Sequence, residues 1–544
     1  MSMRRLSLLL VPACAAWLGC GEAAPSSEER SPRGLPVLTP REGTAVISQD
    51  DVLPGCGEPD AGTGAGDAGT PDTSVLVTAD SRYHSSAGVT VVPESLAGRD
   101  LEILIPHGID FDRRTGTPVA GGMRFDNVPD GEYFLRANRL YFLTRARHFD
   151  LGLNRIGRPD AVYTSIMEST ASLSFTHLEP WQDWTSAYDP GSSLQATSAD
   201  VDLYAPLSPN EYPTAGATTL EDPVAWVYSG SGRGLPALDA TKGDRLYVNQ
   251  LNSVGAGTLP SGGPLVYSTV VSSLHPPAFS FTPDGTTSLP LSGALQPVAQ
   301  QPFSMEWRLS EFTRWRTDAN PTGTLSTPSL SLSPAPFGYQ DGWVGYQGEL
   351  LTLTLPRGED GVIARRLAYG NPYPSSSGVV GTVGYSFRSA TPVVVGTRNH
   401  YPSGGIYVID RLDHLIAGPL QPSISPPREL RIDGVDAYAS RVVGTTQPVF
   451  SWRPPVQGTP KAYVLSVIQL VGTFDANPTL RFYVPGDRTQ VRLPPNLLLP
   501  GTVYYARVTA DGSPNYEPWR APYITAELLP NVSADTYSAA FTTP

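Results

Sequence analysis

A short stretch at 179–190, EPWQDWTSAYDP, sets three aromatic residues among polar and turn-forming ones. Flat aromatic faces suit the apolar C–H faces of sugar rings, and neighbouring polar side chains can hydrogen-bond the hydroxyl groups. Large aromatic side chains are usually buried, so burial of these rings between sheets is the favoured expectation. A glycan-binding surface is the functional alternative. The candidate ligand-binding residues are Trp181, Gln182, Asp183, Trp184 and Tyr188.

Two D-x-D pairs are the candidate metal ligands. Asp110 and Asp112, in GIDFDRR, are the better pair, because alternating acids in a loop can place two carboxylates on one side of a turn, as Ca²⁺ requires. Arg113 and Arg114 follow at once and compete for those carboxylates, and solvated acids at a strand end are the alternative. A second pair lies in SADVDLY (198–204). No cofactor other than calcium is a candidate, since no Cys/His grouping has zinc-ligand spacing.

No catalytic motif stands out in the sequence. It contains no HExxH, Walker loop, dinucleotide glycine fingerprint or G-x-S-x-G elbow. A glycosidase needs two carboxylates that face each other across a cleft. Glu179 and Glu306, each close to a tryptophan, are candidates, but no spacing singles them out. The sequence therefore favours a non-catalytic protein, and the alternative is a polysaccharide-acting hydrolase with its catalytic domain in 161–420.

The N-terminus reads MSMRRLSLLLVPACAAWLGC. Arg4 and Arg5 precede an apolar stretch, Leu6 to Leu18, which has the length of a signal-peptide core and is too short to span a bilayer comfortably. No later segment approaches the roughly 18 apolar residues of a membrane helix. We therefore expect the chain to be exported.

The sequence Leu18-Gly19-Cys20 resembles the lipobox of bacterial lipoproteins. The resemblance implies cleavage of residues 1–19, lipidation of Cys20 and a membrane partner held through the lipid. It also implies a place in the cell envelope, in the outer membrane facing the periplasm or the cell exterior. Trp17 stands where leucine is usual, and the alternative is an ordinary secretory signal with an incidental cysteine.

Residues 20–74 are predicted to be a disordered linker. The segment PDAGTGAGDAGTPD (59–72) holds little but Gly, Ala, Thr, Asp and Pro, so it has nothing to bury. Cys56 lies in this linker and either forms an intermolecular disulfide or does nothing. The formal charge of −13 argues against nucleic acid as a partner.

The composition predicts an all-β protein of tandem β-sandwich domains. Only 16% of residues are charged, while 53 glycines and 55 prolines supply many turns. Short runs rich in Val, Ile, Tyr and Thr recur from Ser74 onward, bounded by turn residues. The stretch at 304–315, SMEWRLSEFTRW, fits a helix or a strand almost equally well. We expect 161–420 to be one or two larger sandwiches.

Residues 75–160 are predicted to form a small sandwich. In MRFDNVPDGEYFLRA (123–137), a strand ends at Val128, Pro129-Asp130-Gly131 turns, and alternating apolar residues return. The segment resembles the closing hairpin of prealbumin-like sandwiches in bacterial surface proteins, which implies a spacer. The alternative is an unrelated β-hairpin.

The C-terminal region, 424–544, resembles a fibronectin type III domain through LLPGTVYYARVTA (498–510). The resemblance implies a tyrosine corner at Tyr504 and a core tryptophan at Trp452. Residues 511–534 are longer than the family usually has before its last strand. Such domains are spacers or binding modules, so the fold alone assigns no function.

Together these features predict a lipid-anchored, non-catalytic binding or adhesion protein of the cell surface. Its expected ligand is a glycan or another surface protein. A purely structural envelope spacer and the hydrolase remain as alternatives. A shallow aromatic surface would favour binding, whereas facing carboxylates in a deep cleft would favour hydrolysis.

Overall fold

The computed structural model describes residues 73–230, 233–339, 348–392, 399–471, 474–526 and 528–544. The predictions for the signal peptide, Cys20, Cys56 and all but the end of the linker lie outside the described residues. Within these residues the chain is almost entirely β, with three short α-helices and two 3₁₀ turns. No helix of the described part is long and apolar enough to cross a membrane.

The first unit is a sandwich built by strands β1 to β11. One layer has the strand order β10-β1-β7-β6, and the other has β5-β4-β8-β9. Val77, Ile103, Phe125 and Phe142 fill the core between them. The strands are β1 (Val75–Thr78), β2 (Asp80–Ser85), β3 (Gly88–Pro93), β4 (Leu101–His107), β5 (Asp110–Thr115), β6 (Thr117–Val119), β7 (Gly122–Phe125), β8 (Tyr133–Ala137), β9 (Leu140–Thr144), β10 (His148–Asp150) and β11 (Asn154–Ile156).

The predicted hairpin at 123–137 is wrong in its pairing. Strand β7 pairs with β1 and β6, whereas β8 pairs with β4 and β9, so the turn at Pro129 crosses from one layer to the other. Phe125 and Tyr133 both point into the same core from opposite layers. A crossing turn and a hairpin turn have the same local sequence, because both reverse the chain between two half-buried strands.

The second unit comprises β12 to β19. Its main sheet has the order β18-β12-β15-β14-β13-β16-β17 and folds around one core that contains Phe175, Ala205 and Val227. A 3₁₀ turn at Ala199–Val201 joins β13 to β14, and another lies at Ala240–Lys242. The strands are β12 (Glu168–Thr176), β13 (Ser193–Ser198), β14 (Leu203–Ser208), β15 (Leu220–Tyr228), β16 (Tyr247–Thr258), β17 (Pro264–Leu274), β18 (Leu289–Ala294) and β19 (Gln296–Pro297).

The third unit packs the strand pair β20-β23 against the sheet β17-β22-β21-β24-β27. The stretch at 304–315, which fitted a helix or a strand, contains one of each: strand β20 ends at Arg308 and a helix follows directly. Its elements are β20 (Gln300–Arg308), α1 (Leu309–Thr313), α2 (Arg316–Ala319), β21 (Thr324–Ala335), β22 (Leu351–Thr354), β23 (Val362–Gly370), β24 (Gly378–Arg388), β25 (Thr391–Pro392), β26 (Asn399–His400), β27 (Ser403–Arg411) and α3 (Leu412–Leu415).

The C-terminal unit is a fibronectin type III-like sandwich. One layer has the order β29-β28-β31-β34, and the other holds β33-β32-β35 with β36 and β37 at its edge. Trp452 and Tyr463 meet between the layers at 5.3 Å. The strands are β28 (Arg428–Ile432), β29 (Val435–Asp436), β30 (Arg441–Val442), β31 (Val449–Arg453), β32 (Ala462–Val471), β33 (Phe474–Pro485), β34 (Gln490–Arg492), β35 (Val503–Asp511), β36 (Asn531–Tyr537) and β37 (Phe541–Thr542).

A tyrosine corner locks the approach to β35. The backbone N–H of Leu499 donates to the hydroxyl oxygen of Tyr504 at 2.9 Å, and the ring of Tyr504 is buried against Phe541. The hydrogen bond satisfies a backbone donor at the corner while the ring fills the core. Together with the strand order, this geometry confirms the predicted fold class: an all-β protein of β-sandwiches that ends in a fibronectin type III-like one.

The C-terminal unit lies between the other units in space, although it comes last in sequence. Its strand β36 pairs with β27 of the third unit, and its strand β33 pairs in parallel with β9 of the first unit. Tyr141 stacks on Phe482 across the second junction, with ring centroids 4.5 Å apart. One hydrogen-bonded path of strands therefore joins the first, C-terminal, third and second units.

The long connection between β35 and β36 docks on the first unit. The carbonyl of Arg520 accepts a hydrogen bond from the backbone N–H of Asp150 at 2.7 Å, and the carbonyl of Trp519 accepts one from the hydroxyl of Thr144. The side chain of Asn154 donates to the carbonyl of Ile524 at 3.3 Å. The extra length of this connection is thus used to hold two units together.

Candidate ligand-binding cleft

A cleft of about 290 Å³ opens where the first, second and third units meet. We call it the interunit cleft. Pockets at such junctions are a common place for ligands. Five segments supply its lining: the β2–β3 turn at 84–89, the end of β13 and its 3₁₀ turn at 197–200, the start of β16 at 245–247, the end of β21 and its following turn at 334–337, and the loop at 373–377.

An arginine–aspartate pair forms the polar wall of the cleft. Arg245 forms a bidentate pair with Asp200: its Nε donates to Oδ2 at 2.9 Å and its Nη2 donates to Oδ1 at 2.8 Å. Its backbone N–H donates to the same carboxylate at 2.9 Å. This forked geometry fixes both side chains, and hydrogen bonding to Asp200 raises the pKa of Arg245. The pair is neutral overall, yet it offers guanidinium donors and carboxylate acceptors side by side.

An aromatic cluster forms a second wall. Tyr247 stacks on His275 at 4.1 Å and lies 4.8 Å from the ring of Tyr373. The hydroxyl of Tyr373 shares a 2.8 Å hydrogen bond with Thr197 and accepts one of 3.0 Å from the Asn249 amide. Burial raises the pKa of Tyr373 to about 12 and lowers the pKa of His275, so this wall is uncharged at neutral pH.

Hydroxyl groups and one apolar ring complete the lining. Ser86 is exposed in the β2–β3 turn, and Ser376 is exposed in the loop at 373–377. Phe337 is half-buried in the turn that follows β21. His84 lies behind the β2–β3 turn, where burial lowers its pKa to about 4 and keeps it neutral. The interunit cleft therefore combines a neutral hydrogen-bonding pair, hydroxyls and aromatic surface. Such a lining suits an uncharged polyhydroxyl ligand.

Facing carboxylates do not occur among the described residues that line the interunit cleft. Of these, Asp200 is the acidic one, and its carboxylate is held by Arg245. Glu306 pairs with Arg308 at 2.6 Å in a separate shallow depression, where no second acid is among the lining residues. Glu179 lies in neither depression. The structure thus does not bring the two sequence candidates for acid–base catalysis together.

The aromatic stretch at 179–190 is split between core and surface. Trp181 is 3% exposed and packs in the second unit at 6.2 Å from Tyr212, which corrects its prediction as a surface ring. The side-chain oxygen of Gln182 accepts a 2.9 Å hydrogen bond from the backbone of Ser253, so it serves the fold. Loop sequence carries no period that tells an inward ring from an outward one.

The remaining three predicted residues are accessible. Trp184 is 51% exposed, Asp183 is exposed and Tyr188 is half-buried. None of the three lines the interunit cleft.

The calcium candidates lie apart from any cluster of ligands. Asp110 and Asp112 are exposed on strand β5, not in a loop, and Asp110 lies opposite His107 in the register. Among the described residues, no three His, Cys, Asp or Glu side chains are placed to share a metal. In the second pair, Asp200 bonds to Arg245 and Asp202 to Arg233.

Sequence reasoning missed Arg245, Tyr247, Tyr373 and Phe337. These residues come from distant segments, with more than a hundred positions between Arg245 and Tyr373, and none of them lies in a local motif. Only Asp200 drew attention, as part of a D-x-D pair. A site assembled by three units has no sequence signature until the packing of those units is known.

No protein-family model matches the chain, and no curated protein matches it. Among solved structures, the chain is similar to the crystal structure of the chicken CNTN1 FN1-FN3 domains. That match covers 71% of this chain and 99% of that chain, at 10% sequence identity and a TM-score of 0.13. A TM-score this low does not establish a shared fold. The strand order and register themselves define the class: an all-β protein of packed sandwiches with a fibronectin type III-like end.

Proposed function

We propose that this chain is a lipid-anchored, non-catalytic glycan-binding protein of the cell envelope. The observation that carries the proposal is the lining of the interunit cleft, where a neutral Arg245–Asp200 pair faces hydroxyl and aromatic groups. Each sugar hydroxyl is both a donor and an acceptor. A fixed donor–acceptor pair therefore suits two neighbouring hydroxyls, while an aromatic ring suits the C–H face.

Charge supports a neutral ligand over a phosphorylated or nucleic-acid one. Arg245, the basic residue among the described lining residues, is neutralised by Asp200, and the whole chain carries a formal charge of −13. Among those residues an anion would find no uncompensated cation. This argument favours uncharged saccharides.

The proposal of binding without catalysis rests on the carboxylates. Glycoside hydrolysis requires an acid and a second carboxylate about 5 to 10 Å apart. The carboxylate of Asp200, the one found among the described lining residues, already accepts three hydrogen bonds from Arg245, so it is poorly placed to transfer a proton. A spacer, in contrast, has no use for a polar cleft with a fixed lining.

The envelope location rests on the N-terminal residues. The lipobox-like Leu18-Gly19-Cys20 and the linker that follows would place the folded body at the end of a lipid-attached tether. On this proposal the body reaches glycans of the envelope or of a neighbouring surface. A surface protein is the second candidate ligand.

A glycan array with the chain expressed from residue 21 tests the proposal. We expect specific saccharide binding that Ser86→Trp abolishes, because Ser86 is exposed at the cleft and a bulky ring there fills it without touching the core. Ala439→Trp is the matched control, since Ala439 is exposed on the C-terminal unit. Failure of the unmodified chain to bind any saccharide, or equal binding by both variants, would contradict the proposal.

A further inference from the structure

An exposed row of apolar side chains lies on the outer face of strand β15. Val224 is 49% exposed, Trp226 is 38% exposed and Tyr228 is half-buried. The rings of Trp226 and Tyr228 lie nearly parallel, 25° apart, with centroids separated by 6.4 Å. We call these three residues the β15 strip.

The β15 strip is not part of the core of the second unit. The alternating side chains Ala225 and Val227 point inward and are buried in the core of the second unit. The strip points the other way, so part of its apolar surface is in contact with water, most of it at Val224 and Trp226. Contiguous exposed apolar surface can mark a contact site.

Polar side chains border the strip on both neighbouring strands. Ser208 of β14 and Thr170 of β12 lie directly opposite Trp226 in the register. The hydroxyl of Ser208 bonds to Tyr212 at 3.0 Å, and that of Thr170 bonds to Ser288 at 2.8 Å. Glu168 lies opposite Tyr228. The strip is therefore a narrow apolar row flanked by groups that can bond to hydroxyls.

This shape fits a linear glycan better than a protein. A stable protein interface buries about 800 Å² on each partner around an apolar centre, and three side chains bordered by polar groups fall far short of that area. A sugar chain instead presents repeated C–H faces edged by hydroxyls. Residues two positions apart on a strand are spaced by roughly 6.6 Å. Trp226 and Tyr228 therefore place two rings in a row along the outer face of β15.

The strip and the interunit cleft share one sheet face. Tyr204 and Ser208 alternate on the same side of β14, and Thr197, opposite Tyr204, also lies opposite Tyr247 of the cleft. The sheet order β15-β14-β13 puts about two strand spacings, or roughly 10 Å, between the strip and Thr197 of the cleft lining. The two surfaces are therefore separate contacts.

We propose that the β15 strip is a second binding site, which takes a linear, uncharged polysaccharide lying along the strand. The strip holds a polymer chain by stacking, whereas the interunit cleft encloses a small saccharide. This second site has its own residues and does not depend on the cleft being occupied.

Affinity gel electrophoresis tests the second site. The chain, expressed from residue 21, is run in gels that contain soluble cellulose, chitin or xylan derivatives, and its retention is measured. We expect retention by at least one polymer, with at least a tenfold weaker affinity for Trp226→Ala and a clear loss for Tyr228→Ala. Tyr401→Ala is the matched control, since Tyr401 is an exposed aromatic of the third unit that lies outside the strip. Circular dichroism and melting temperature establish that each variant is folded.

The blocked-cleft variant Ser86→Trp separates the two proposals. We expect it to keep polymer retention, because the strip is untouched. The second site would be overturned if no polymer retained the unmodified chain, or if folded Trp226→Ala and Tyr228→Ala were retained as strongly as the unmodified chain. Loss of retention in Ser86→Trp would instead show a single site in the cleft and would also overturn it. Failure of the glycan array alone would leave the polymer result standing.

Discussion

At the scale of single residues, Trp181 and Trp184 stand three positions apart and have opposite environments. Trp181 is 3% exposed in the core of the second unit, and Trp184 is 51% exposed. We expect Trp181→Ala to lower the free energy of unfolding by about 3–5 kcal/mol, because it empties a large buried volume. Trp184→Ala should change it by less than about 0.5 kcal/mol. Urea unfolding of both variants measures the difference, and equal losses would contradict the assigned burial.

A buried histidine makes stability depend on pH. Burial lowers the pKa of His84 to about 4 from an ordinary 6.5, opposed by a hydrogen bond to Asn154 and aided by the charge of Arg82. Between pH 6.5 and pH 4 the unfolded chain therefore binds a proton that the folded chain does not. Stability from this group is complete above pH 6.5 and falls as the pH is lowered through that window.

The variant His84→Gln has no titrating side chain at this position. The difference in pH dependence between it and the unmodified chain is therefore the contribution of His84. We expect the unmodified chain to lose roughly 2–3 kcal/mol more than His84→Gln between pH 7.5 and pH 4.5. Urea unfolding at the two pH values provides the comparison. The same pH dependence in both proteins would mean that His84 is not buried in its neutral form.

At the scale of elements, the tyrosine corner is the feature that the sequence predicted best. The Pro-Gly turn and the ring three positions later define a local motif, and the hydrogen bond from Leu499 to Tyr504 is present at 2.9 Å. Tyr504→Phe leaves the ring in the core and removes the acceptor for a backbone N–H. We expect a loss of about 1 kcal/mol in urea unfolding. Tyr401→Phe, at an exposed ring, is the control and should be neutral; an equal effect in both would contradict the corner's role.

Other elements show where local sequence stops being sufficient. The turn at Pro129 was predicted to close a hairpin, yet it crosses between layers, because pairing partners are chosen by the sandwich and not by the turn. The stretch at 304–315 begins as a strand paired with β23 and ends as a helix. Trp307, Leu309 and Phe312 of this stretch are buried and Trp315 is half-buried, so burial was largely predictable while the element type was not.

At the scale of the whole molecule, the last unit in sequence joins the others in space. The sandwich class followed from composition and strand patterns. The order of units did not, because the pairings of β9 with β33 and of β27 with β36 join strands that are far apart in sequence. The interunit cleft was missed for the same reason, since its five segments meet only after those units have packed.

The central position of the C-terminal unit predicts the behaviour of a truncated chain. A fragment of residues 73–420 loses the strands that pair with β9 and β27 and exposes Tyr141, which otherwise stacks on Phe482. We expect this fragment to lack a cooperative melting transition and to aggregate, in contrast to residues 73–544. Near-ultraviolet circular dichroism and gel filtration measure both properties. A fragment that melts cooperatively at the temperature of the longer chain would indicate independent units.

The central claim is that the interunit cleft binds an uncharged saccharide. Its most direct test is titration calorimetry of the best array saccharide against the unmodified chain, Ser86→Trp and Ala439→Trp. We expect one saccharide to bind per chain in the unmodified protein and in Ala439→Trp, and we expect no measurable heat for folded Ser86→Trp. Equal affinity for all three proteins would contradict it, because the saccharide would then bind somewhere other than the cleft.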